Sequence, residues 1–247
     1  MLLSNLQAEQ YDRDGYLLAE NVFSPDEVAA MLRDVEGGDR VAGKTFTMND
    51  GSQKAAKLAL WNELGNDIWT AATIHPQIVN NARLLLRDDV SFFHGKVMLK
   101  EAHSGGAWEW HQDYGYWYED GYAFPRLISA FVALDAATVE NGCLQVLRGS
   151  HRLGRLSHGG VGGQVGVDKE RLQRIEPLFE RVHCEMPPGS VLFFDCNVLH
   201  ASAANESDFP RRAFIVCYNA VSNPLLGATS SPVPCPVGSD EAILQFA

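Results

Sequence analysis

Nowhere in this sequence do apolar residues run for the roughly 20 positions that a membrane-spanning helix needs. The first residues, Met1-Leu2-Leu3-Ser4-Asn5-Leu6, turn polar too soon for a secretory signal. Positive charge is scarce: 20 Lys and Arg face 31 Asp and Glu, a formal net charge of −11. That balance speaks against nucleic acid, whose phosphates require a basic face, and gives no attraction to an anionic membrane. Cysteine is sparse and unpatterned. The five (Cys143, Cys184, Cys196, Cys217, Cys235) are odd in number and show no C-x-x-C spacing. They exclude a disulfide framework or a zinc knuckle and read as buried or free thiols in a reducing, cytoplasmic compartment. Internal repeats and low-complexity linkers are absent as well.

What is present is enough for a sizeable core: 247 residues, 46% apolar and only 21% charged, far from the composition of disordered chains. The pattern predicts one domain over 1–247, helical over 1–89, a β-core over 90–222 and a tail over 223–247. Residues 5–36 read as helices around a short extended piece, Tyr16-Leu17-Leu18. Ser24-Pro25-Asp26-Glu27 opens the second helix as a capping box with proline at the first helical position. Residues 39–60 read as a loop or ragged hairpin over a pocket, and 62–88 as helical again. From Val90 the period changes to two, and strands are expected at Val90–Lys100, Leu127–Leu134, Cys143–Leu147, Val182–Met186, Val191–Asp195 and Ala213–Tyr218. Many strands punctuated by Gly and Pro indicate a barrel or jelly roll. An insertion at 150–181, glycine-rich and then charged and helical, is of the kind that often forms a functional lid, and the sequence does not assign its role.

The chemistry centres on Trp110-His111-Gln112-Asp113. In an extended segment alternate side chains share a face, so His111 and Asp113 point together while Trp108, Trp110 and Gln112 point away. A lone histidine beside tryptophan is usually structural. Paired with a carboxylate two positions on, and with a distant His200 just after the apolar run Ser190–Asp195, it supplies the 2-His-1-carboxylate set of a non-haem iron site. Glu109 is a rival carboxylate; the shorter Asp113, in the turn after a strand, is preferred. Arg211 or Arg212, opening the last strand, could pair bidentately with the far carboxylate of a keto diacid chelating the metal. Ser202 and an aromatic hydroxyl could complete that cradle. Among the aromatic run, Tyr114, Tyr116 and Trp117 are candidates for the substrate pocket. His75, His94, His103, His158 and His183 have no partner at ligand spacing and are expected at the surface or hydrogen-bonded.

These motifs resemble the phytanoyl-CoA dioxygenase (PhyH) family of Fe(II)/2-oxoglutarate oxygenases. The resemblance runs from Asp14-Gly15-Tyr16-Leu17-Leu18 and Phe23–Glu27 through Trp110–Asp113, Asn141-Gly142-Cys143-Leu144 and Gly149-Ser150-His151 to His200-Ala201-Ser202 and Phe209-Pro210-Arg211. It implies an α+β fold with a mainly β core, a double-stranded β-helix (cupin-like jelly roll) with N-terminal helices packed outside. It implies iron ligands at His111, Asp113 and His200, and it selects Arg211 over Arg212 as the anchor of 2-oxoglutarate. Lys100 would correspond to the family's lysine in the strand before the motif, and His151 to a structural turn. Trp110-His111…Trp117…Glu119-Asp120-Gly121…Pro125 is also locally similar to ectoine hydroxylase. The long signature that precedes this pattern there is absent, so ectoine is not assigned as substrate.

The expected function is therefore hydroxylation of a small organic substrate, with Fe(II), 2-oxoglutarate and O₂ as cofactor and co-substrates and succinate and CO₂ as co-products. Asp113 fills the coordination position that halide takes in related halogenases, which favours hydroxylation over chlorination. The same chemistry could instead desaturate, epimerise or cyclise. From other classes, a non-redox metal-binding barrel or a zinc hydrolase could use the same three ligands, though neither needs an anchor for a keto diacid.

Overall fold

The computed structural model describes residues 2–50 and 54–247. Met1 and residues 51–53, the latter within the expected 39–60 loop, lie outside the described residues. Seven strands form one antiparallel sheet. In spatial order they are β1 (Tyr16–Ala19), β11 (Val191–Asp195), β6 (Leu127–Ala133), β13 (Arg211–Ala220), β4 (Val90–Lys100), β3 (Ala55–Trp61) and β2 (Thr45–Asn49). Four short strands face it: β10 (Arg181–Cys184), β7 (Leu144–Leu147), β12 (His200–Ser202) and β5 (Trp108–His111). The result is the expected α+β fold with a mainly β core, a double-stranded β-helix.

Period-two alternation decides what each face of the large sheet buries. Along β13, Phe214, Val216 and Tyr218 pack outward against the helices, while Ala213, Ile215 and Cys217 face the small sheet. β6 and β11 divide in the same way, with Ile128, Ala130, Val132 and Phe193 outward and Leu127, Phe131, Leu192 and Phe194 inward. A sheet covered on both faces explains why these strands read as unbroken apolar runs.

The outer layer is α1 (Asn5–Asp14), α2 (Pro25–Gly37), α4 (Ile68–Thr73) and α5 (Pro76–Leu86). The capping box at α2 is formed as the sequence indicates, with Ser24 N–H donating to Glu27 Oε2 at 2.8 Å. Of the two readings of 39–60, loop or ragged hairpin, the hairpin is the one formed. These residues hold α3 (Asp39–Lys44) and the β2–β3 hairpin, which extends the large sheet by two strands, so the region before residue 90 is not wholly helical. The insertion also has structure: a hairpin of β8 (His158–Val161) and β9 (Gln164–Val167), then α7 (Lys169–Ile175). No helix among the described residues is long and apolar enough to cross a membrane.

Candidate active site

His111 and His200 are direct cross-strand partners, the last residue of β5 beside the first of β12, and their ring centroids lie 4.1 Å apart. Gln112 is still extended (φ −113°, ψ 136°), so alternation carries Asp113 onto the same side before the chain turns into α6 (Asp113–Trp117). His111, Asp113 and His200 offer ligand atoms within 4.8 Å of one another, and all three are buried. Glu109 does not join them.

Each of the three side chains is aimed by a neighbour. His111 Nδ1 sits 2.7 Å from the Glu109 carbonyl and His200 Nδ1 3.0 Å from that of Val198. Both rings thus use Nδ1–H as donor to backbone and leave Nε2 for a metal. His200 Nε2 is 3.8 Å from Asp113 Oδ1, while Asp113 Oδ2 accepts from the Ser129 hydroxyl at 2.7 Å. Burial, with His200 nearby, pushes His111 down to about 3, and burial lowers His200 too. Both imidazoles are neutral at physiological pH, the form that binds a metal. Burial works against ionisation of Asp113, but Lys96, the two imidazoles and the Ser129 hydroxyl outweigh it and hold the carboxyl below its ordinary value.

Beside the triad, Arg211 and Lys100 are register partners on β13 and β4, both essentially fully buried. Lys100 Nζ donates to Ser202 Oγ at 2.8 Å and to the Ala203 carbonyl. Arg211 lies with its guanidinium carbon 5.5 Å from the Phe131 ring centre, its Nε without a partner among the described residues. Trp108 Nε1 is a second buried donor in that position. Two basic groups side by side in a dry interior cannot both carry charge without a large cost unless an anion joins them. The buried orphan donors call for the same thing, an acceptor-rich ligand. A 2-oxoglutarate carboxylate fits this cradle, and the neutral two-imidazole, one-carboxylate set fits Fe(II).

Triad and cradle open into one cavity of about 570 Å³. Its walls are largely apolar, with Phe46 and Met48 from β2, Leu58 from β3, Phe93 from β4 and Trp117 from α6, and carry Lys44, Asn62, Lys96 and Asp120 among them. The β2–β3 hairpin thus covers a pocket, as the reading of 39–60 anticipates. Tyr116 and Trp117 line the cavity. Tyr114 does not: its side chain is buried in the core, where the hydroxyl donates to the Tyr122 carbonyl at 3.0 Å. Trp108 also departs from strict alternation. A bulge between His200 and Ser202 pairs Ser202 with Trp108, three residues before His111, and turns the indole into the cavity.

Some residues at the site went unread in the sequence. Alternation along β4 from Lys100 places Met98, Lys96 and His94 on the cavity side. Lys96 makes no hydrogen bond or ion pair among the described residues. His94 is neither at the surface nor hydrogen-bonded there; it packs 5.7 Å from Trp117, and burial pushes it down to about 3. His75 is likewise buried, against Phe23. Ser129 is a hydroxyl in an otherwise apolar, fully buried strand, which is itself a signal. His103 is exposed beside Asp208, and His151 contacts the Asp12 carbonyl as part of a structural turn.

Two imidazoles and a carboxylate at the mouth of a double-stranded β-helix form the ligand set of the non-haem iron oxygenases. Residues 11–213 match the phytanoyl-CoA dioxygenase (PhyH) family model. An ectoine dioxygenase from Sphingopyxis alaskensis is 32% identical, covering 90% of this chain and 78% of its own length. An L-proline trans-4-hydroxylase from Streptomyces griseoviridis is 28% identical, covering 94% and 95%. Solved structures of EctD from S. alaskensis, one with bound Fe and one with 2-oxoglutarate and 5-hydroxyectoine, give TM-scores of 0.76 and 0.73. Each is 28% identical and covers 96% of this chain and 87% of that chain. The chain belongs to the phytanoyl-CoA dioxygenase family. It is an Fe(II)- and 2-oxoglutarate-dependent dioxygenase.

Proposed function

We propose that His111 Nε2, Asp113 and His200 Nε2 hold the iron, that Arg211, Lys100 and Ser202 hold 2-oxoglutarate, and that the enzyme hydroxylates a small organic molecule carrying an anionic group. When bound, iron and 2-oxoglutarate supply the oxidation of a C–H bond by O₂, with succinate and CO₂ released. The chain's own residues bind, orient and keep water out. The observation that carries the reading is the buried Arg211–Lys100 pair beside the triad, a charge arrangement that a hydrolase or a passive metal-binding barrel has no use for. Lys96, half-buried on the cavity wall with no hydrogen bond or ion pair among the described residues, supports the anionic group. Relatives named for ectoine and L-proline support a small substrate. The scattered cysteines, all free and buried, support a reducing, cytoplasmic setting.

The test is O₂-dependent succinate release over a panel of small carboxylates and their neutral amides. Carboxylates should couple succinate to hydroxylated product one to one. Lys96→Ala should raise KM for that substrate about tenfold, the worth of one charged contact, with KM for 2-oxoglutarate unchanged. Turnover with zinc in the absence of O₂ contradicts the reading.

Lys100 gives a second expected result. Burial, helped by the neighbouring Arg211, pushes its ammonium down to about 6, so at pH 7.5 it is largely neutral. An arriving carboxylate favours the charged form and draws a proton onto Nζ. Binding of 2-oxoglutarate at pH 7.5 should therefore take up close to one proton, and affinity should weaken as pH rises above 6. Calorimetry in two buffers of different ionisation enthalpy reads this directly. Lys100→Met should bind without uptake; uptake that survives in that variant removes Lys100 from the account.

A further inference from the structure

We propose that His158, carried by the insertion hairpin, is a positioning residue of the iron site, and that the insertion works as a buttress for the ligand-bearing segment rather than as a lid. The proposal rests on the assignment of iron to the triad. Gln112 is the residue between two ligands, and its backbone N–H donates to His158 Nε2 at 2.9 Å. His158 Nδ1 is 2.9 Å from the Leu156 carbonyl, so that nitrogen carries the proton and Nε2 is left to accept.

The side chain of Gln112 ties the same knot tighter. Its Nε2 donates to the carbonyls of Gly154 at 2.8 Å and Asn197 at 2.7 Å, and its Oε1 accepts from Leu156 N–H at 2.7 Å. One buried residue thus joins the base of the insertion to both metal-bearing segments, since Asn197 lies three residues before His200. Further contacts repeat the attachment. Tyr116 Oη donates to the Val165 carbonyl at 2.5 Å, and Gln164 Oε1 accepts from Glu109 N–H at 3.0 Å.

Close packing leaves the hairpin little room to swing. A Cβ on Gly115, in the first turn of α6, would lie 2.1 Å from the His158 ring. Glycine at 115 is what allows that ring to seat against the turn. A hairpin bonded to the backbone between two ligands fixes where the imidazole and the carboxylate point. Outer partners of this kind are typically worth 10- to 100-fold in metal affinity.

The experiment uses Co(II), whose visible d–d spectrum reports ligand geometry, titrated into the full chain. His158→Leu removes the acceptor and should weaken Co(II) binding roughly 10- to 100-fold and alter the band shape. His158→Gln offers an acceptor at similar reach and should stay within about threefold of the unmodified protein, on the same scale. Gly115→Ala should displace the ring and reproduce the leucine variant. A folded His158→Leu protein with unchanged affinity and spectrum overturns the proposal. Should that variant fail to fold, ¹⁵N-histidine NMR of the unmodified protein decides, with His158→Gln assigning the signal. A proton on Nδ1 and a bare Nε2 are expected; a proton on Nε2 overturns the clamp. Because the tautomer is read without any metal, it separates a failure of the clamp from a failure of the iron assignment.

Discussion

Asp113→Ala should lower kcat by about 10³-fold or more, on the order of 4 kcal/mol of barrier, even at saturating Fe(II) and 2-oxoglutarate. Asp113 is the one anionic side chain of the triad, and its two oxygens are already divided, Oδ2 held by the Ser129 hydroxyl and Oδ1 beside His200. Its loss leaves two neutral imidazoles facing a dication in a buried pocket, without the charge that partly neutralises it. Asp113→Glu restores the charge but not the geometry. The longer chain cannot keep both the Ser129 hydrogen bond and the same oxygen position, so rescue should be small. Ser129→Ala should give a milder loss, since it frees Oδ2 without removing a ligand. Rates with measured metal occupancy check all three; an Asp113→Ala enzyme that retains full kcat removes this residue from the iron.

Arg211→Met should raise KM for 2-oxoglutarate about a hundredfold, the roughly 3 kcal/mol of a bidentate charge-assisted pair. At saturating 2-oxoglutarate kcat should largely survive, because the triad is untouched. Arg211→Lys should recover little. A lysine lacks the planar fork, and it would stand beside Lys100 as a second buried amine. Arg212→Met is the control. That residue is turned outward and paired with Asp135 and Glu36, so its loss should leave KM for 2-oxoglutarate unchanged. A reversed pattern, with Arg212 controlling KM, contradicts the cradle.

How much of this was legible in the residues follows from how local each signal is. The triad was readable because H-x-D spans one extended residue, and because His200 follows soon after an apolar run that reads as a buried strand, although it opens the next strand, β12, rather than closing that one. The boundaries of β11 and the capping box at Ser24 were readable for the same reason. Resemblance was needed to choose Arg211 over Arg212. Neighbours in a strand face opposite ways, and the residues alone do not say which face is inner. Trp108 was misplaced because a bulge adds one residue to the alternation, and bulges come from pairing between distant segments. The hairpin at 45–61 was read only as an alternative to a loop, and its joining the large sheet was not read, since the strand that β3 pairs with, β4, begins only at Val90. Tyr114 was put in the pocket because helical geometry from Asp113 onward replaces period two. Lys96 and His94 needed only the alternation already applied elsewhere, counted back from Lys100.

The central claim is that three side chains from two separate segments hold one ferrous ion and that 2-oxoglutarate chelates it. Anaerobic addition of Fe(II) and 2-oxoglutarate tests it most directly. A weak visible charge-transfer band should appear with the unmodified protein, and should be absent in His200→Ala. A band that persists unchanged in His200→Ala, or no band at saturating Fe(II) and 2-oxoglutarate, would contradict it.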